Sequence, residues 1–299
     1  MPCPPIHKVP SEKVSSASSS RKKPVQLTLG HSPDADDAFM FCALAQRTVP
    51  AEGIEFEHLL QDVETLNRRA ERSELDITAL SAHAYAFLTD RYLLLNSGAS
   101  MGRGYGPIVV SKTKITARDL PSVRVAVPGE RTSAFLALRL FSKKISHVVV
   151  PFDKIMDAVE QGKADAGLVI HEGQLTYMDQ GLHLVLDLGT WWFQETDGLP
   201  LPLGVNAIRR GLPVEVQKRV DRVLKRSIRW GIEHRGQALR YAAKWGRGID
   251  ASRMSRFVNL YVNNYTLRYG KEGKKALRVF FETAAKAGLI PASAKPEYV

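Results

Sequence analysis

Four apolar runs, each closed by a polar turn and flanked by a helix-like segment, set the limits on how this chain can fold. They are Val25-Gln26-Leu27-Thr28-Leu29, Leu75-Asp76-Ile77-Thr78-Ala79-Leu80, Val123-Arg124-Val125-Ala126-Val127 and Ala166-Gly167-Leu168-Val169-Ile170. The last is apolar throughout, which fits a parallel strand covered on both faces. The first three lead into helix-like segments at Asp37 to Ala45, Ala82 to Leu88 and Ala134 to Phe141, and one from Asp153 to Gln161 precedes the fourth. Such alternation builds an α/β protein. In open α/β sheets a ligand sits at the carboxyl ends of the strands, so the turns matter more for function than the runs.

The turn after the fourth run is His171-Glu172-Gly173. Imidazole, with an ordinary pKa of about 6.5, suits proton transfer near neutral pH. The alternative is a histidine that caps the strand or packs in a cleft. At the other turns, Ser32, Ser81, Thr132 and Ser133 stand at or near helix starts. First-turn amides lack intrahelical partners, so Ser81, Thr132 and Ser133 suit a carboxylate, while plain N-capping is the competing reading. Asp34, Asp36 and Asp37 look like a metal cluster, but no His or Cys at zinc-ligand spacing accompanies them. They read as acids matched to a helix dipole, and no metal is expected. Gly102-Arg103-Gly104-Tyr105-Gly106-Pro107 lacks the Gly-Lys-Ser/Thr ending of a phosphate loop and reads as a flexible connection.

At 299 residues, 44% hydrophobic and 24% charged, the chain can bury a sizeable core and is long enough for about two domains. The segment through Pro24 is rich in Pro, Ser and Lys without an apolar stretch, and reads as a disordered tail rather than a secretion signal or membrane anchor. Cys3 falls in that tail and Cys42 on an apolar helix face, which points to reduced thiols in a cytoplasm. The net charge of +11 comes largely from the tail and from a helical stretch, Val214 to Arg247. Val220, Val223, Leu224, Ile228 and Ile232 form a core-facing stripe there, so the cations read as a solvated face rather than a specific nucleic-acid or membrane site.

Strand and helix signals alternate from Val25 to about Val110 and again from Val123 to Asp187, then give way after Pro200-Leu201-Pro202-Leu203-Gly204 to helices. The expected architecture has a tail at 1–24, a first lobe made of 25–110 plus 204–299, and a second lobe at 111–203. The chain would cross between lobes near Pro107 to Val110 and Leu203 to Ala207. A small ligand would lie in the central cleft and draw the lobes together.

With these residues in view, the chain from about Leu27 to Val299 resembles the menaquinone-biosynthesis branch of the periplasmic-binding-protein-like superfamily (type 2 lobes), and within it the 1,4-dihydroxy-6-naphthoate synthases of the futalosine pathway. The resemblance is carried in order by Ser32-Pro33 with Asp37 and Phe39, Asp62-Val63-Glu64-Thr65-Leu66-Asn67, Leu80-Ser81, Gly102-Arg103-Gly104, Val125-Ala126-Val127-Pro128-Gly129, Ile170-His171-Glu172 with Thr176-Tyr177, Asp187-Leu188-Gly189 with Trp191-Trp192, and Gly198 to Gly204. It implies a cytoplasmic, cofactor-free lyase that converts cyclic dehypoxanthinyl futalosine to 1,4-dihydroxy-6-naphthoate. It places the catalytic base on His171, a substrate-contacting serine on Ser81 and paired hydroxyl residues on Thr132 and Ser133, with Leu80, Ser32 and Asp36 completing the substrate-facing set. The chain departs from the family's Ser-Pro-Cys-Pro-Asn-Asp-Thr-Phe turn with Asp34-Ala35-Asp36-Asp37-Ala38-Phe39. Asp36 replaces an amide by a carboxylate, which disfavours a substrate carboxylate beside it. Ser133 stands where a relative has Thr and keeps the hydroxyl, and Gly173 replaces a Ser.

A lone base suffices for such chemistry: proton removal beside a carbonyl in a strained spirocycle drives carbon–carbon cleavage as the ring becomes aromatic. Glu172 is then structural, and Trp191-Trp192 either wall an aromatic ligand or pack in the core. Two other classes share the architecture: a sister chorismate dehydratase and a non-catalytic solute-binding protein for a small carboxylate. The missing export signal and the placement of His171 argue against the binding protein, and the Ile170-His171-Glu172 element favours the synthase over the dehydratase.

Overall fold

The apolar runs become the central strands of two sheets. The computed structural model describes residues 23–244 and 250–299. The expected tail apart from Lys23 and Pro24, with Cys3, and Arg247 of the basic stretch lie outside them. In chain order the elements of the first half are β1 (Val25–His31), α1 (Ala35–Ala45), β2 (Ile54–Leu60), α2 (Val63–Glu71), β3 (Ile77–Ser81), α3 (Ala82–Tyr85), β4 (Tyr92–Leu94), β5 (Ser100–Gly102), β6 (Ile108–Ser111), β7 (Arg124–Val127) and α4 (Ser133–Phe141). There follow β8 (Ser146–Val149), α5 (Ile155–Glu160), β9 (Ala166–Val169), β10 (His183–Asp187), α6 (Leu188–Glu195), β11 (Leu201–Arg209), α7 (Val214–Glu233), α8 (Arg235–Ala242), α9 (Ala251–Tyr261), α10 (Asn264–Leu267) and α11 (Gly270–Lys286).

The first sheet runs β2-β1-β3-β11-β4, with β5 also paired to β11; the second runs β10-β6-β9-β7-β8. In each, the strands that carry the predicted turns are parallel neighbours, β1 with β3 and β7 with β9. The strands that link the two lobes, β6 and β11, run antiparallel to them. Two of the expected boundaries need correction. Ile108, Val109 and Val110 pair with β9 and β10, so they belong to the second lobe and not the first. Leu201, Pro202 and Leu203 already lie in β11 of the first sheet, so the return crossing precedes them.

All four residues of β9 are buried. Gly167 interrupts its side-chain wall because α5 presses there: an added Cβ would lie 2.6 Å from Ile155 Cγ2 and 2.8 Å from Val159 Cγ2. The segment expected as one helix from Asp153 to Gln161 is a 3-10 turn, Phe152–Lys154, followed by the short α5. The glycine-rich stretch 102–107 is no flexible connection. Tyr105 and Gly106 pack against the start of α6, where a Cβ on Gly189 would fall 1.9 Å from the Tyr105 carbonyl carbon. The Leu188 amide donates to Pro107 O at 3.0 Å and Thr190 Oγ1 to Gly104 O at 3.1 Å.

One apolar cluster joins the lobes. It runs from Leu80, Tyr92 and Met101 through Leu201 and the fully buried Trp192 to Val109, Val125, Phe135 and Leu168. Trp192 donates its indole N–H to Pro200 O at 3.2 Å and meets Phe280 edge-on, while Trp191 meets Phe141 edge-on. A second cluster packs α1 between β1 and the helices α7, α8 and α9. Gly231 permits the close approach, since a Cβ there would lie 3.2 Å from Phe39 O. Ile232, expected in the core stripe of α7, is 41% exposed in the last turn of that helix. Part of the basic face is engaged: Arg222 and Arg226 hold the Glu52 carboxylate at 2.7 and 2.8 Å, and Arg219 and Arg226 donate to the carbonyls of Glu52 and Pro50. No helix among the described residues is long and apolar enough to cross a membrane.

Candidate active site

The carboxyl ends of β1, β3, β7 and β9 converge on one cavity between the lobes. Its first-lobe wall includes Ser32, Asp34, Asp36, Asp37, Leu80, Ser81, Asn206 and Tyr261; its second-lobe wall includes Thr132, Ser133, Ala134 and Ile170. Every expected substrate-facing residue, Ser32, Asp36, Leu80, Ser81, Thr132 and Ser133, thus lines it. His171 does not line it, although its neighbour Ile170 does. Neither Trp191 nor Trp192 lines it either; both belong to the packing behind it. The volume, about 120 Å³, is small beside the roughly 300–1,000 Å³ of ligand pockets, so the lobes stand close together.

Contacts across the cleft agree with that. Ser133 Oγ donates to Leu203 O at 2.6 Å and accepts from the His83 amide at 3.2 Å. The Arg131 guanidinium lies 3.9 Å from the Phe87 ring centre and reaches Glu71 at 3.2 Å. Gly129 sits against Glu64, whose Oε2 an added Cβ would approach to 2.4 Å.

Each candidate hydroxyl has its partners. Thr132 N-caps α4: its Oγ1 accepts from the Phe135 amide at 3.3 Å and donates to Gly129 O at 2.8 Å. The hydroxyl protons of Thr132 and Ser133 are therefore both engaged, and what α4 offers an anion is its first-turn amides at Ser133 and Ala134, backed by the helix dipole. Ser81 differs. Asn67, a fully buried residue of α2, brackets it by accepting from the Ser81 amide at 3.0 Å and donating to Ser81 Oγ at 3.2 Å. That arrangement leaves the Ser81 proton to a ligand.

The opposite wall is acidic. Asp37 accepts from the Ser32 amide at 2.7 Å, Asp34 accepts from Ser32 Oγ at 2.7 Å, and Asp36 accepts from Ser100 Oγ at 3.3 Å. Asp36 and Asp37 lie in the first turn of α1, as acids matched to its dipole do, whereas Asp34 makes no capping hydrogen bond to that helix. Burial foremost, then the neighbouring Asp34 and Glu172, push the Asp36 carboxyl up to about 7. Burial and then Asp36 push Asp37 up as well. Near neutral pH Asp36 is therefore part protonated and able to donate as well as accept. Among the described residues, no group of three His, Cys, Asp or Glu side chains is arranged to hold a metal ion.

His171 is buried at the end of β9, 6% exposed, with Phe152 edge-on to its ring at 5.7 Å. Its Nδ1 accepts from the Gly173 amide at 2.9 Å. The neutral ring therefore carries its proton on Nε2 in this arrangement, and its basic lone pair is turned toward Gly173. Gln174, three residues after the expected base, is not among the expected site residues. It accepts from the Tyr261 hydroxyl of α9 at 2.6 Å. Asn67 sits within a quoted motif yet gave no sign of its role, and Tyr261 occupies an ordinary helical position; only the folded contacts reveal either.

The sequence matches the menaquinone-biosynthesis family over residues 27–286. It is 40% identical over 273 residues to the 1,4-dihydroxy-6-naphthoate synthase of Thermus thermophilus, covering 91% of this chain and 99% of that protein. To the synthase of the same name from Streptomyces coelicolor it is 36% identical, covering 89% and 95%. Among solved structures, a protein from Archaeoglobus fulgidus superposes with a TM-score of 0.85 at 48% identity, over 89% of this chain and 98% of that one. The alkanesulfonate-binding protein SsuA of Xanthomonas axonopodis superposes with a TM-score of 0.69 at 14% identity, over 92% and 97%, which extends the likeness to the binding-protein fold alone. With its two-lobed fold, its interlobe cavity and these full-length matches, the chain belongs to the menaquinone-biosynthesis family.

Proposed function

We propose that this protein is a 1,4-dihydroxy-6-naphthoate synthase, a carbon–carbon lyase acting on cyclic dehypoxanthinyl futalosine. The observation that carries the reading is the match to two synthases along nearly the whole of each chain. The cavity agrees with such a substrate because it is polarised: first-turn amides of α4 at one wall suit a carboxylate, and the acids of the α1 turn at the other suit hydroxyl groups. The Ser81 hydroxyl lies between, oriented by Asn67. The substrate carboxylate accordingly lies toward α4 and away from Asp36.

His171 acts as the base. For this its ring turns away from Gly173, which frees Nδ1 to accept a proton from the carbon beside the substrate carbonyl. The electron pair released breaks the carbon–carbon bond as the ring system becomes aromatic, and the imidazolium returns the proton to the sugar-derived fragment that departs. The step involves no net redox change, so no cofactor is assigned. We place the activity in the cytoplasm, where the buried Cys42 thiol, pushed up to about 11 by that burial, stays reduced.

Incubation with cyclic dehypoxanthinyl futalosine and, separately, with chorismate, followed by mass spectrometry, tests the assignment. The expected product is the dihydroxynaphthoate from the first and none from the second. His171→Ala should lower turnover by about 10²–10⁴ while binding persists; near-normal turnover of that variant would remove the base assignment.

A further inference from the structure

The segment after His171 belongs to the second lobe by sequence but is held by the first. Tyr261 Oη donates to Gln174 Oε1 at 2.6 Å, Leu175 packs against the first-lobe cluster around α9, and Arg253 of α9 pairs with Asp179 at 2.8 Å. Gln174 in turn grips the end of β9. Its amide donates to His171 O at 3.0 Å and its Nε2 to Val169 O at 3.4 Å. Tyr261 is itself immobilised, buried between Phe257 and Tyr105, whose hydroxyl donates to Leu260 O.

We propose that Tyr261 is a positioning residue that, through Gln174, sets the backbone bearing His171 only when the lobes are closed. The inference rests on the reading of His171 as the base. A chain of hydrogen bonds crosses the cleft at Tyr261–Gln174 and ends on the backbone carbonyls of Val169 and His171, which flank and carry the imidazole. With the backbone from Val169 to Leu175 fixed, turning the ring from Gly173 toward the cavity needs rotation of the side chain alone. With the lobes apart, the link is broken and the turn loses its anchor. Substrate that has entered but has not closed the cleft therefore meets a misplaced base, which couples proton removal to the exclusion of water.

Tyr261→Phe deletes only the hydroxyl, and Gln174→Leu cuts the same link from the other lobe. In the full-length protein with cyclic dehypoxanthinyl futalosine, each should lower kcat by about 10- to 100-fold with KM changed by less than about threefold. The double variant should be no worse than the more damaged single one, since both sever one link. Gln174→Glu, which keeps an acceptor for the phenol but loses the Nε2 donor to Val169 O, should recover only part of the loss seen in Gln174→Leu. Additive losses in the double variant would overturn the proposal, as would a Tyr261→Phe enzyme that raises KM and spares kcat, since the phenol would then be a substrate ligand. Unchanged kinetics in Tyr261→Phe beside an inactive His171→Ala would overturn the proposal and leave the base assignment standing. An active His171→Ala would remove both.

Discussion

Replacing Asp36 by Asn isolates the electrostatic cost of the acidic wall. The change keeps the shape and an oxygen acceptor for Ser100 Oγ, which lies 3.3 Å away, and removes only the titration. In the folded protein the carboxyl is raised from the ordinary 3.8 to about 7, by burial first and by Asp34 and Glu172 after it. A raised carboxyl works against the folded state wherever the unfolded chain would already be ionised: the wild type is unpenalised below the unfolded value and loses stability as pH rises through the folded one. At about 1.4 kcal/mol per pH unit of raised affinity, the ceiling is about 4 kcal/mol. Reorganisation and the partial exposure of the side chain reduce it, so about 1–3 kcal/mol is expected. Urea unfolding of both proteins should give matching stabilities at about pH 4 and a gap in favour of Asp36→Asn that opens between about pH 4 and pH 7 and then levels off. A gap independent of pH, or one that widens toward acid, would refute the argument.

Gly189→Ala drives a Cβ to 1.9 Å from the Tyr105 carbonyl and should lower Tm markedly. Gly211→Ala, with nothing within 4 Å, should stay within about 0.5 kcal/mol of the parent in the same melts. Burial, assisted by His58 and Arg131 respectively, lowers His31 and His83 to about 4. Both are thus held neutral, their contribution complete above the unfolded value of about 6.5 and lost as pH falls from there toward 4. A Tm profile of His83→Gln should accordingly decline less steeply than the parent's over that range, and parallel profiles would count against the assignment.

The fold was legible where one element's chemistry decides its own fate. The apolar run at Ala166–Val169 is a fully buried strand, and Thr132 caps the helix that its spacing announces. Boundaries set by remote partners were not legible. Nothing local in Ile108-Val109-Val110 says that β9 and β10 will claim it, and the glycines of 102–107 signal freedom until Gly189 is packed on them. The site divides along the same line. Strand-end placement brought six of the expected residues to the cavity, because topology alone carries a strand end there. The orientation of the His171 ring depends on the Gly173 amide and Phe152, and the brackets supplied by Asn67 and Tyr261 cross between elements far apart in the chain. No periodicity encodes such pairs. The place of Asp36 and Asp37 in the first turn of α1 is local, whereas the partners that raise the Asp36 carboxyl include Glu172 from a distant segment.

The first sheet ends at β4, and its outer side is not bare. Leu94 receives the carbonyl of Glu297 at 2.8 Å through its amide, returns its own carbonyl to the Val299 amide at 3.0 Å, and bridges to Tyr298 in parallel. An unpaired border of this kind is a template on which a second chain can add. The backbone of Glu297 to Val299 thus acts as a selvedge along the border of the sheet, occupying both the amide and the carbonyl of Leu94. Removing Glu297–Val299 should therefore bare the Leu94 backbone and leave each molecule competent in chemistry yet more prone to self-association, visible as a rise in light scattering with concentration.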